Sequence, residues 1–315
     1  MAGRPSTRTA SSSRQPKPQT FSDKWDLTHL VKNPTRQLDA LLAELEAKVV
    51  QIEAARPGLS PAMPNQDLLA LLRCSEAIAQ GSSRLGAFAY LWFSENTKND
   101  AARSFKTQVE ERLTALSNRL LFFELWWQSV DDTNAARLMA DAGDLRYHLE
   151  TIRRFKPHTL SEPEEKIVNL KNVTGCSAIH TLYDIVTNGF TFTLTVGGKK
   201  KTMNREGLMA YVRSQKASVR QAAYQELYRV FSGQRDLLGE IYKTLVNDWK
   251  SENLGLRHFG SPIATRNLGN DVPDQAVDVL LSACAKNADI FQAYFKLKAK
   301  ICKITPMSRY HLYTP

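Results

Sequence analysis

The chain has 315 residues, of which 43% are hydrophobic and 23% charged, with a mean hydropathy of -0.36. That is an ordinary globular balance with enough length for a sizeable core, and no run of 18 apolar residues suggests a membrane-spanning helix. The formal charge of +10 does not make a nucleic-acid binder, because Arg4, Arg8, Arg14 and Lys17 in the acid-free segment 1–22 supply four of those charges. Elsewhere acids and bases alternate, as in Glu110-Glu111-Arg112, which is the pattern of solvated helix surfaces.

Segment 1–22 is rich in Ser, Thr, Pro and Arg and has one aromatic residue, Phe21. Such a composition predicts disorder, since it cannot bury enough apolar surface to offset ordering. It contains no apolar signal-peptide core and no leucine face for a targeting helix, so a cytoplasmic location is expected.

The first predicted helix starts after Asn33-Pro34 and buries Leu38, Leu41, Leu42, Leu45, Val49 and Ile52, ending at Arg56-Pro57-Gly58. A second begins near Asp67 with Leu68, Leu71, Leu72 and Ile78 on one side, and Gly81-Ser82-Ser83 is a candidate bend. The third is the most regular: Ala101, Phe105, Val109, Leu113, Leu116, Leu120, Phe123 and Trp127 form a near-heptad seam. The aromatic group Phe122, Phe123, Trp126 and Trp127 reads as core at that spacing.

Ser161 and Glu164 form a capping box that opens another helix, with Gly175 as an expected left-handed C-cap. The period then changes to two. Phe190 to Val196 alternates apolar residues with threonine, Gly197-Gly198 fits a tight turn, and Lys199 to Met203 returns as a second strand. The three lysines there read as protection of a sheet edge. Asn204 caps a helix through Arg213, a long helical tract spans 217–253, and a last long helix over 273–303 follows Pro273. The fold class is mainly α, with packed antiparallel helical hairpins and one small β-hairpin insertion at about 190–203.

Chemistry is harder to find. None of the six histidines (His29, His148, His158, His180, His258, His311) has a second within four residues, so no helix presents two imidazoles to one metal. Cys74, Cys176, Cys284 and Cys302 form no CxxC pair and read as small buried side chains. No HExxH, calcium loop, Walker A loop, nucleophile elbow or dinucleotide fingerprint occurs. Catalytic, cofactor-binding and metal-binding residues are therefore each assigned as none.

Several segments in order resemble the oligoendopeptidase F family of thimet-oligopeptidase-like zinc metallopeptidases. They are Trp25 to Leu30, Tyr90 to Thr97, Leu160 to Ile167, Thr174-Gly175, Leu182 to Asp184, Arg220 to Tyr224, Ile241-Tyr242, Ser261 to Ala264, Tyr294 to Lys300 and Arg309 to Pro315. His311 stands where the family usually has aspartate. The resemblance implies an enzyme that cleaves short peptides with one zinc ion, held by an HExxH helix and a further glutamate beyond the segment matched by Tyr310 to Pro315.

The expectation is an N-terminal part of such a peptidase, inactive by itself, with no zinc bound by this chain. Short peptides are the partners expected of the full-length enzyme; neither nucleic acid nor membrane is. The expected organisation is a basic tail over 1–22, a helical region over 23–185, and over 186–315 the β-hairpin plus the start of an incomplete helical peptidase domain. If so, the last helix should carry an apolar face without a partner. The competing expectation is a complete non-catalytic helical module that uses the same framework for binding or scaffolding.

Overall fold

The computed structural model describes residues 24–315. The expectations placed on the basic tail 1–22 lie outside those residues.

Helix α1 (Pro34–Ala55) starts where Pro34 predicts, although the Asn33 side chain does not cap it. Instead the Gln37 Oε1 accepts from the Asn33 amide at 3.0 Å. Helix α2 (Asn65–Glu95) runs unbroken through Gly81-Ser82-Ser83. Gly81 serves packing rather than bending: a Cβ there would lie 2.7 Å from Leu45 Cδ2, so the missing side chain lets α1 close onto α2. Helix α3 (Asp100–Ser129) is capped by the Asn99 side chain, which accepts from the Ala101 and Ala102 amides. Its buried positions include Phe105, Val109, Leu116, Phe123 and Trp127; the seam opens on Ala102 rather than on Ala101, which is exposed.

Two short helices, α4 (Asp132–Met139) and α5 (Arg146–Arg154), close this first layer. Trp127 Nε1 donates to the Leu149 carbonyl at 2.9 Å, and Arg153 donates to the Trp127 and Val130 carbonyls, so α5 is pinned to the end of α3. The core formed by α1 to α5 holds Val49, Ile52, Leu68, Leu85, Phe88, Val109, Phe122, Phe123, Trp127 and Leu149.

Helix α6 (Glu162–Thr174) carries the predicted capping box: the Ser161 amide donates to Glu164 at 2.9 Å. It packs along α3. Gly175 is not left-handed. Its φ of -100° and ψ of -98° turn a corner into α7 (Cys176–Asn188), and a Cβ there would sit 2.9 Å from the Lys171 carbonyl oxygen. The corner therefore selects glycine through crowding instead of through positive φ.

Strands β1 (Phe192–Val196) and β2 (Lys199–Met203) form an antiparallel hairpin that pairs Phe192 with Met203 and Val196 with Lys199. Gly197 (φ +61°) and Gly198 (φ +76°) supply the left-handed pair that such a two-residue turn requires. Phe192 and Leu194 face inward and Lys199, Lys200 and Lys201 are exposed, as the alternation predicts.

The hairpin sits on α8 (Arg205–Tyr211), capped by Asn204, and on α9 (Ala217–Ser232), forming a second core of Phe192, Leu194, Leu208, Val212, Ala223 and Tyr224. The tract predicted over 217–253 breaks at Gly233-Gln234 before α10 (Arg235–Lys250), then loosens into a π turn at Ser251–Leu256. After α11 (Pro262–Gly269), the single helix predicted over 273–303 is two, α12 (Asp274–Lys286) and α13 (Ala288–Ile301). The break falls at Asn287 (φ -105°, ψ 17°), whose side-chain and backbone amides both donate to the Ala283 carbonyl, at 2.7 and 3.2 Å.

Candidate functional site

Among the described residues two neighbouring cavities adjoin, the larger within the first helical layer and the smaller between that layer and the segments that follow. The larger, about 890 Å³, is bounded by α2, α3 and α5. Its walls include Leu68, Leu72, Ile78, Leu116, Leu120, Phe123, Trp127, Leu145 and Leu149, with Glu76, Glu124 and His148 as the ionisable groups beside several serine and threonine hydroxyls. The smaller, about 250 Å³, is lined by Glu165, Arg257, His158, Phe259, Asn253 and Thr265. Leu121, Glu124 and Phe155 line both, so the two spaces meet at one carboxylate.

That carboxylate is the unusual group. Glu124 is exposed to water, yet its carboxyl has much protein around it. Burial and then the negative charge of Glu165 push its carboxyl above the ordinary carboxylate range, with His148 pulling the other way. Glu76, by contrast, already bonds Arg73 at 2.9 Å.

The smaller cavity is organised by Arg257. Its guanidinium forks onto both oxygens of Glu165 at 2.7 and 2.9 Å and reaches Glu252 at 2.9 Å. His158 stacks on Phe259 with ring centroids 3.6 Å apart, and its Nδ1 donates to the Arg257 carbonyl at 2.9 Å. This cluster ties α6 and the loop before it to the π turn. For Glu165, burial opposes ionisation, but the Arg257 bonds, the Leu160 amide and the guanidinium charge outweigh it and hold the carboxyl below its usual range.

No group of three or more His, Cys, Asp or Glu side chains is placed to hold a metal ion among the described residues. His311 is buried, and its Nδ1 accepts from the Ser308 amide at 3.0 Å, which caps the turn at Arg309–His311. Of the cysteines, Cys284 on α12 is exposed and the other three are half-buried, so none is buried as expected and Cys284 departs furthest. The groove around Glu124 was not anticipated from sequence. One signal for it exists: Glu124 interrupts the apolar run from Leu120 to Trp127, at a position that faces an otherwise apolar wall.

Much of the surface beyond the hairpin is apolar. Tyr242 on α10 is 72% exposed, and Val279, Leu280 and Leu281 on α12 with Ile290, Phe291, Tyr294, Leu297 and Ile301 on α13 are exposed too. No helix among the described residues is long and apolar enough to cross a membrane.

The family model described as Oligopeptidase F matches residues 126–192. The chain is 23% identical over 301 residues to the plasmid-encoded oligoendopeptidase F of Lactococcus lactis subsp. cremoris, covering 92% of this chain and 49% of that protein. With oligopeptidase PepF of Bacillus subtilis it shares 20% identity, covering 78% and 37%. The crystal structure of oligoendopeptidase-F from Enterococcus faecium superimposes with a TM-score of 0.77 at 18% identity, over 89% of this chain and 56% of that one, which establishes the shared fold. Together these matches support a likeness to the N-terminal portion of oligoendopeptidase F family proteins. It spans about half the length of the relatives just named from Lactococcus and Enterococcus.

Proposed function

We propose that this chain is the N-terminal part of a zinc metallo-oligoendopeptidase and that it forms one wall of a helical channel in which short peptides are hydrolysed. The observation that carries the proposal is the exposed apolar surface of α12 and α13, on a chain that matches about half of its relatives. Exposing that many large side chains is costly in water, and contiguous apolar patches of this kind mark an interface. The relatives are about twice as long as the part this chain matches, and we take the remainder of such a peptidase as the occupant.

In this reading the boundaries fall near 185, between a helical region and the start of an incomplete peptidase domain. The two cores, one in α1 to α5 and one around the β-hairpin, are in keeping with such a division. The zinc would be contributed from outside this chain. Among the described residues no group of histidines and carboxylates is placed to hold zinc, so no step of peptide hydrolysis is assigned to them.

The test is the transcript. The reading frame carried through and past the Pro315 codon is expected to encode an HExxH helix and a later glutamate. A stop codon directly after Pro315, with no such motif encoded beyond it, would instead favour a non-catalytic binding module.

A further inference from the structure

We infer that the larger cavity is a binding site for a small amphipathic cation, an apolar body bearing one protonated amine, with Glu124 as the counter-ion. The inference does not depend on the peptidase reading. About 890 Å³ is the size of a small-molecule site, and its mostly apolar lining with a few polar groups is the usual character of one.

The charge decides the ligand class. Glu124 makes no hydrogen bond and no ion pair with any described residue. Glu76 is committed to Arg73, and no lysine or arginine lines the groove. The ionisable groups facing the space are therefore Glu76 from α2, Glu124 from α3 and His148 from α5, with Glu165 on α6 beyond the shared wall. An anionic ligand would meet the Glu124 carboxylate without a compensating cation, the charge of Glu76 being already offset by Arg73. A neutral ligand would fill the apolar part but leave the Glu124 carboxylate further desolvated, which is costly. An ammonium group offsets that cost, and the raised carboxyl of Glu124 is what an uncompensated, partly desolvated acid shows.

The experiment is titration calorimetry on the full chain with 2-(2-naphthyl)ethylamine, the matching alcohol, and 2-naphthylacetate. A charge-assisted hydrogen bond in such a setting predicts that the amine binds about tenfold more tightly than the alcohol, with the carboxylate weakest. Glu124→Gln keeps the shape of the groove and should bring the amine down to the affinity of the alcohol while leaving the alcohol unchanged. Thermal melting of the variant, monitored by circular dichroism, verifies that it is folded. Equal binding of amine and alcohol to the native chain overturns the inference. So does an amine preference that survives in Glu124→Gln, or a failure of all three probes to bind.

Discussion

Replacing Arg257 with methionine removes the partner of a carboxylate that has little access to water. The two side chains are 17% and 10% exposed, and they meet through paired bonds at 2.7 and 2.9 Å. Truncating one member of a buried pair strands the other charge, typically at about 3–5 kcal/mol. Glu165 keeps the Leu160 amide at 2.9 Å, so the loss should fall near the lower limit, about 3 kcal/mol at pH 7. The pH dependence follows from the direction of the shift. In the native protein Glu165 lies below its unfolded value of about 4.3, so its contribution is complete above that pH and is lost as the pH falls through the folded value. In the variant the stranded carboxyl moves the other way, and protonation relieves it. The destabilisation should therefore be largest at neutral pH and shrink towards pH 4. Urea unfolding of both proteins at pH 7 and pH 4, followed by circular dichroism, measures it, and Glu165→Gln in the variant background should recover part of the loss at pH 7. A loss under about 1 kcal/mol at pH 7, or an equal loss at both pH values, would refute the reasoning.

Leu208→Ala removes a fully buried side chain beneath the β-hairpin and should destabilise the second core by about 3 kcal/mol in chemical denaturation; a loss within 0.5 kcal/mol would contradict the packing described. Gly198→Ala forces a side chain into a φ of +76° and should cost about 1–2 kcal/mol by the same assay, whereas an unchanged midpoint would mean the turn relaxes freely. Deleting residues 1–22 should abolish any affinity of the chain for DNA in a gel-shift series; strong salt-sensitive binding by the shortened protein would show that the remaining surface charge is organised after all.

The mainly α class, the β-hairpin and the near-heptad helix α3 were legible in the sequence because each rests on local periodicity or turn chemistry. Ser161 with Glu164, and Asn204, are caps whose partners lie three residues away. Breaks were harder. Gly81 reads as a bend but lets Leu45 approach, and a helix divides at Asn287, whose backbone leaves the helical conformation. Both outcomes depend on neighbours that local sequence does not specify. Helices α4, α5, α7 and α11 were missed, the last because Gly260, Pro262 and Gly269 read as a loop; α4 and α5 are short, and their place is set by packing on the ends of longer helices, as with Arg153 and Trp127. The groove at Glu124 needed the third dimension, because its walls come from α2, α3 and α5, up to about a hundred residues apart. The Arg257 cluster likewise joins residues 92 positions apart.

The central claim is that these 315 residues provide peptidase framework without the metal chemistry. Its most direct test is one assay on the purified chain loaded with zinc and dialysed: bound metal by mass spectrometry alongside cleavage of a quenched fluorescent peptide, with and without chelator. Zinc well below one ion per chain and no chelator-sensitive turnover is the result expected. One zinc per chain together with turnover that chelator abolishes would contradict it.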